Sequence, residues 1–148
     1  MRFYAAGNYY LSSIQQGIQA AHVLGEMITK YPSGDGPVGE QLSDWRVNHK
    51  TMILLNGGNA DSLRGFYSLL ERSDASALVF AKFNEDAQSL DNALTSVGII
   101  VPERLYDATW TNDAVYGFAG AWVDTTGKQL AGWEAEFVTA LKGMSLAR

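Results

Sequence analysis

The chain has 148 residues and a net charge of −5, with 11 basic against 16 acidic side chains, the wrong sign for a protein that grips long nucleic acid by neutralising phosphates. Its length suits a single domain that buries about two-thirds of its unfolded surface. It has no cysteine, which excludes disulfides, thiolate nucleophiles and cysteine-ligated metals and suits a reducing compartment. No segment reaches the roughly 18 apolar residues of a membrane span and no basic-then-apolar leader is evident, so a cytoplasmic protein without membrane contact is expected.

The chain opens with a short strand, Arg2 to Ala6, followed by a helix whose start is marked at Ser12. Ser12 is placed to accept from free helix N–H groups, and Gln15 three residues later can reach back to the cap amide, the arrangement of a capping box. Ile14, Gly17, Ile18, Ala21, Leu24 and Ile28 recur at three- and four-residue steps, which predicts a packing face narrow at Gly17 and Ala21. Gln15, Gln19, His22 and Glu26 form a polar stripe along one flank.

Tyr31 to Pro37 carries two prolines and two glycines and reads as a turn or hinge. Gln41 to His49 reads as a second helix with Leu42 and Trp45 inward, and Thr51 to Leu55 as a buried strand. After a turn at Gly57-Gly58, Asn59 or Asp61 caps a helix that presents Leu63, Phe66, Tyr67 and Leu70 as one stripe. Ala77 to Phe80 is expected to run parallel to Thr51 to Leu55 through a right-handed crossover, and Val97 to Val101 to complete a mixed sheet. Between Arg104 and Asp124, Tyr106, Trp110, Tyr116, Phe118 and Trp122 suggest short strands or aromatic loops. Lys128 to Leu146 places Leu130, Trp133, Phe137, Ala140, Leu141 and Met144 on one stripe, a terminal helix that needs a partner surface.

The strand followed by Gly17-Ile18-Gln19-Ala20-Ala21-His22-Val23 resembles the opening of the type 2 peptidyl-tRNA hydrolase family, whose first helix reads Ala-Ala-Gln-x-x-His-Ala. Trp45, then Lys50 opening an apolar strand, then the acidic-capped helix from Asn59 is similar to that family's next segment. Asn84-Glu85-Asp86-Ala87, Thr95 and the strand Val97 to Val101 ending at Pro102 give a third similarity. The resemblance covers roughly residues 2–102. It implies an α/β fold, a mixed sheet flanked by helices in two or three layers, with residues 103–148 as an aromatic extension and helix packed on the family-like core. It also implies cleavage of the ester between a peptide and the terminal ribose of tRNA, with Gln19 and His22 lining the site and Asp86 and Thr95 positioning water or the leaving hydroxyl. The family's lead loop carries lysines before this helix, whereas Leu11 to Gln16 has no basic residue.

Each candidate has a plainer role beside the chemical one. His22 can exchange protons near neutral pH, or be a packed helix residue; Gln19 can orient a carbonyl or water, or satisfy a neighbouring loop. Asp86 can be a solvated loop acid. Gln15, Lys50, Arg64 and Trp110 are candidate ligand contacts, and Lys30, Arg46, His49, Lys50, Arg64 and Arg72 could converge on a small anion. The tryptophans and tyrosines after Pro102 could stack on a base or simply pack. Two histidines 27 positions apart argue against a histidine-rich metal site, Gly57-Gly58 lacks the lysine-bearing pattern of a phosphate loop, and no cofactor is called for. The leading expectation is a peptidyl-tRNA hydrolase-like protein acting at the tRNA 3′ end. The alternative is a non-catalytic homodimer or higher homo-oligomer that binds or sequesters a small nucleotide or other anion.

Overall fold

A computed structural model of the chain describes residues 1–34, 36–73, 78–117 and 119–148. It is an α/β structure built on a four-stranded mixed sheet. In chain order the strands are β1 (Arg2–Gly7), β2 (Met52–Asn56), β3 (Val79–Asn84) and β4 (Leu94–Val101), and they lie side by side as β2-β1-β4-β3. β1 and β2 are parallel, with Phe3 opposite Met52 and Gly7 opposite Asn56, while β4 runs antiparallel to both β1 and β3. β3 therefore points the same way as β2, as expected, but it lies on the far edge with β1 and β4 between them. Ala77 and Phe118 fall outside the described residues.

Helices cover both faces. On one face Phe3, Ala5, Val79, Ala81 and Ile100 pack against Ala20, Val23 and Met27 of α1 (Ser13–Lys30). Leu42 of α2 (Gly36–Asp44) and Trp45 of the π-helical turn Trp45–His49 complete that layer. The second helix thus begins earlier than Gln41, because Gly36 turns the chain at positive φ and Pro37, which needs no donor, opens the first turn. On the other face Tyr4, Ala6, Leu55, Val97, Ile99 and Val101 pack under Leu63, Phe66 and Leu70 of α3 (Ala60–Glu71) and Phe137, Val138 and Leu141 of α6 (Gly132–Gly143).

The face that α1 buries differs from the one its apolar spacing predicts. Gln16, Gln19, Ala20, Val23 and Met27 point inward, whereas Ile14, Ile18 and Ile28 are 77%, 50% and 41% exposed. The reason lies in the glutamines: Gln16 Nε2 donates to the Leu11 carbonyl and both ends of the Gln19 amide are bonded, so two polar residues join the inner arc. The close approach of helix to sheet is made at Gly98, where a Cβ would overlap Val23 and come within 2.8 Å of the Phe3 ring; a Cβ at Gly17 would meet nothing within 4 Å.

Between β3 and β4 lies the short α4 (Ala87–Leu90), and after β4 the chain forms α5 (Glu103–Tyr106) and a two-stranded ribbon of β5 (Thr109–Thr111) and β6 (Ala121–Val123). α6 then docks on α3: Phe137 stacks on Phe66 at 6.3 Å, and Trp133 Nε1 donates to the Leu69 carbonyl at 2.5 Å. Ser145 to Ala147 return along the outer edge of β2, where Asn56 N donates to Ser145 O and Ala147 N to Leu54 O. That edge is therefore covered by the chain's own tail. Among the described residues, no helix is long and apolar enough to cross a membrane.

Candidate functional site at the carboxyl edge of the sheet

The strand directions bring the ends of β1, β2 and β3 and the start of β4 to one edge of the sheet. The N-termini of α1 and α3 follow β1 and β2 there through loops of a few residues, so free helix amides face the same side. Main-chain bonds tie these loops together: Asn8 N to Thr95 O, Tyr9 N to Gly58 O and Gly57 N to Gly7 O. The predicted capping box is present at α1, with Gln15 N donating to Ser12 Oγ at 3.3 Å and Ser12 N to Gln15 Oε1 at 3.0 Å. Asn59, not Asp61, caps α3.

A β-bulge gives this edge its polar centre. Phe83 pairs with Ser96 and Asn84 with Leu94, so Thr95 is the extra residue on β4. A bulge re-aims side chains that strict alternation would send to the other face. Thr95 Oγ1 donates to Gln19 Oε1 at 2.9 Å, with the Phe83 carbonyl a second acceptor at 3.3 Å. The other side of the same amide, Gln19 Nε2, donates to Glu85 Oε2 at 2.8 Å. A carboxylate only accepts, so it fixes which way the amide faces. Thr95 is 1% and Gln19 7% exposed, while Glu85 is half-buried.

His22, one turn along α1 from Gln19, is exposed and stacks on Phe83 with ring centroids 4.5 Å apart and planes 12° apart. Asp86 does not face the first helix. Its Oδ1 accepts from Ser89 N at 2.7 Å and Gln88 N at 2.9 Å, capping α4, and the bond from Ser89 leads in holding its carboxyl below the ordinary value. The carboxylate joined to the helix is therefore that of its neighbour Glu85, one residue earlier.

The remaining candidates are engaged elsewhere. Gln15 is occupied in the cap. Lys50 sits in a left-handed conformation before β2 begins, at the opposite end of the sheet. Arg64 pairs with Asp61 on α3, and Trp110 lies on the ribbon, where its indole donates to Asn112 and meets Trp122 edge-on at 5.4 Å. The basic residues do not converge either: Lys30 donates to Phe80 O, Arg46 to Ser33, His49 pairs with Asp44 and Arg72 with Glu136.

Several features of this edge escape a reading by motif. Gln16 Oε1 and Ser96 Oγ are buried without a hydrogen-bond partner among the described residues, and both lie near Gly7: Ser96 pairs with Gly7 across the strands, and Gln16 Oε1 lies 3.4 Å from the position a Gly7 Cβ would take. Tyr9 and Tyr10 are exposed, their ring centroids 4.1 Å apart, and the neighbouring Tyr10 side chain leads in raising the Tyr9 pKa. A hollow of about 390 Å³ is lined by Tyr9, Gln16, Asn56, Ser145, Leu146 and Arg148. The only signal for these in the sequence is an aromatic pair between a strand and a helix cap. Among the described residues, no group of three or more histidines or carboxylates is placed to hold a metal ion.

A scan against protein-family models finds no match to this chain, and no curated protein matches it.

Proposed function

We propose that this chain is a peptidyl-tRNA hydrolase-like esterase whose site lies at the carboxyl edge of the sheet. The observation that carries this reading is the chain of hydrogen bonds from Thr95 through Gln19 to Glu85, which joins a hydroxyl, an amide and a carboxylate from three separated segments. Thr95 is too buried to touch a substrate and acts as a positioning residue; through Gln19 it holds Glu85, while His22 lies one turn along α1, exposed against Phe83. Glu85 accepts a proton from water as the water oxygen bonds to the ester carbonyl carbon. The tetrahedral intermediate collapses, the carbon–oxygen bond to the ribose breaks, and the departing oxygen takes that proton from Glu85, which is left ionised for the next turnover. With a net charge of −5, binding is confined to the 3′ end of the tRNA, where the amides of α1 and α3 and the Tyr9–Tyr10 pair are available to phosphate and base. A cytosolic setting fits the cysteine-free composition.

The test is single-turnover cleavage of a peptidyl-tRNA with protein in excess, comparing the native chain with Glu85→Gln. Cleavage that falls in the variant by at least about tenfold supports the assignment; absence of cleavage by the native chain overturns it. A second reading, binding of a nucleotide without hydrolysis, is favoured by the lack of any basic residue from Leu11 to Gln16. Stoichiometric retention of a nucleotide in native mass spectrometry, with no turnover of peptidyl-tRNA, selects it.

A further inference from the structure

α1 carries a second apolar face, turned away from the sheet, and nothing among the described residues covers it. Ile14, Ile18, Ala21 and Ile28 are exposed along it, interleaved with Gly17 and Gly25, and half-buried Leu24 stands at its edge, packed in part against the sheet-side cluster. Both glycines weaken the helix, since glycine loses more backbone freedom than any other residue. Neither serves packing within the chain: a Cβ at either position meets nothing within 4 Å. Glycine in such a face lets another helix backbone approach closely, with the isoleucines as flanking ridges.

The face is also a palindrome. Counting from Ala21, isoleucine stands at seven residues either way (Ile14 and Ile28), glycine at four (Gly17 and Gly25), and a branched aliphatic at three (Ile18 and Leu24). A sequence with that symmetry complements itself when two copies run in opposite directions, each large residue opposite a large one and each glycine opposite a glycine. Charge does not oppose that direction: Glu26 lies on the flank of Gln15, Gln19 and His22, outside the contact, and the first turn of α1 that faces the partner's last turn has no acidic residue.

We propose that this face is a homodimer interface in which two copies of α1 cross antiparallel about Ala21, with Ile14 against the partner's Ile28 and Gly17 against the partner's Gly25. A two-fold axis through Ala21 makes the contact isologous and closed, so it gives a dimer and not a filament. The interface lies on the opposite side of α1 from Val23 and Met27. It stands independently of the hydrolase assignment.

The absence of native cysteine makes the test direct. Light scattering on the eluting protein should give twice the 16.1 kDa chain mass, and Ile18→Lys should return the mass to that of one chain with its melting temperature at dilute concentration unchanged, because the side chain is half-exposed. Under mild oxidation Ala21→Cys should cross-link to itself. Ile14→Cys alone should not, whereas a mixture of Ile14→Cys and Ile28→Cys should form the mixed disulfide. A native chain that stays monomeric at its highest soluble concentration overturns the proposal, whether or not it binds lipid vesicles through this face. So does an Ile18→Lys variant that remains dimeric, and Ile14→Cys that cross-links to itself in preference to Ile28→Cys would mean a parallel pair and reject the arrangement.

Discussion

Thr95 and Gln19 stand 76 positions apart in the chain, and the hydroxyl of one donates to the amide oxygen of the other at 2.9 Å. The contact exists because β4 bulges at Thr95, so that a residue which regular alternation would place under α3 meets α1 instead. It saturates Gln19, whose other atom holds Glu85. Helix position, strand register and the accessible carboxylate are thus linked through one buried amide.

Removing the hydroxyl tests that link. Thr95→Val keeps the shape and leaves Gln19 Oε1 buried without its donor, which should cost about 1–3 kcal/mol. Thr95→Ser should restore most of it. Chemical denaturation measures the loss, and single-turnover cleavage by the still-folded fraction should fall with Val and recover with Ser if Thr95 positions Glu85. Equal stability of Val and Thr forms would mean that the bond contributes nothing net.

The parts of this arrangement legible in the sequence are the local ones. Ser12 with Gln15 and Asn59 with the stripe Leu63, Phe66 and Leu70 announce two helices, because caps and apolar spacing act within a few residues. The orientation of α1 is not legible, because apolar spacing counts Ile14, Ile18 and Ile28 as core and cannot know that Gln16 and Gln19 will find acceptors and donors inside. The bulge leaves no local mark either, and neither does the use of Asp86 as the cap of α4, which leaves Glu85 to meet Gln19. Thr95 and Gln19 are nevertheless both picked out by the resemblance in their motifs, and they meet. Arg64 and Trp110 are chosen on residue type and Lys50 through the resemblance as well, and the fold scatters them.

Glycines with opposite surroundings should respond oppositely to a methyl group. At Gly98 the added Cβ collides with Val23 and the Phe3 ring, so Gly98→Ala should destabilise by about 1–3 kcal/mol as α1 is pushed off the sheet. Gly65, in α3 with nothing within 4 Å of its Cβ, should gain up to about 1 kcal/mol on substitution by alanine. Urea midpoints of the two variants measured side by side decide this; a neutral Gly98→Ala would place α1 farther from β4 than described.

Truncation after Pro102 should leave a chain that does not fold alone. Phe137, Val138 and Leu141 are buried in the same cluster as Leu63, Phe66 and Val97, and the tail after α6 covers the outer edge of β2. Taking them away exposes one sheet face, one helix face and a strand edge together, a combination that favours aggregation. A soluble fragment with a sharp melting transition would show instead that residues 1–102 fold without the extension.

Acid should loosen the extension before the sheet. Arg104 forms a forked pair with Glu134, with bonds of 2.6 and 2.7 Å, and that pairing holds the Glu134 carboxyl below its ordinary 4.5. Asp124 accepts from Thr126 Oγ1, Thr126 N and Lys128 N, and the Thr126 hydroxyl bond leads in holding it below 3.8. A carboxyl whose folded-state pKa is lowered adds stability above its unfolded pKa and loses it as pH falls toward the folded value. The stabilisation from these groups should therefore be full and constant between pH 7 and about 5.5, and the melting temperature should fall as pH drops through 4.5 and 3.8. Tryptophan fluorescence should report it first, because Trp122 and Trp133 lie on β6 and α6. Arg104→Met removes the cation that stabilises ionised Glu134, so its stability should depend less steeply on pH in that range. An acid transition as steep as in the native chain would assign the effect to Asp124, held low mainly by Thr126, or to carboxylates outside the extension, among which Asp86 and Asp44 are also held low.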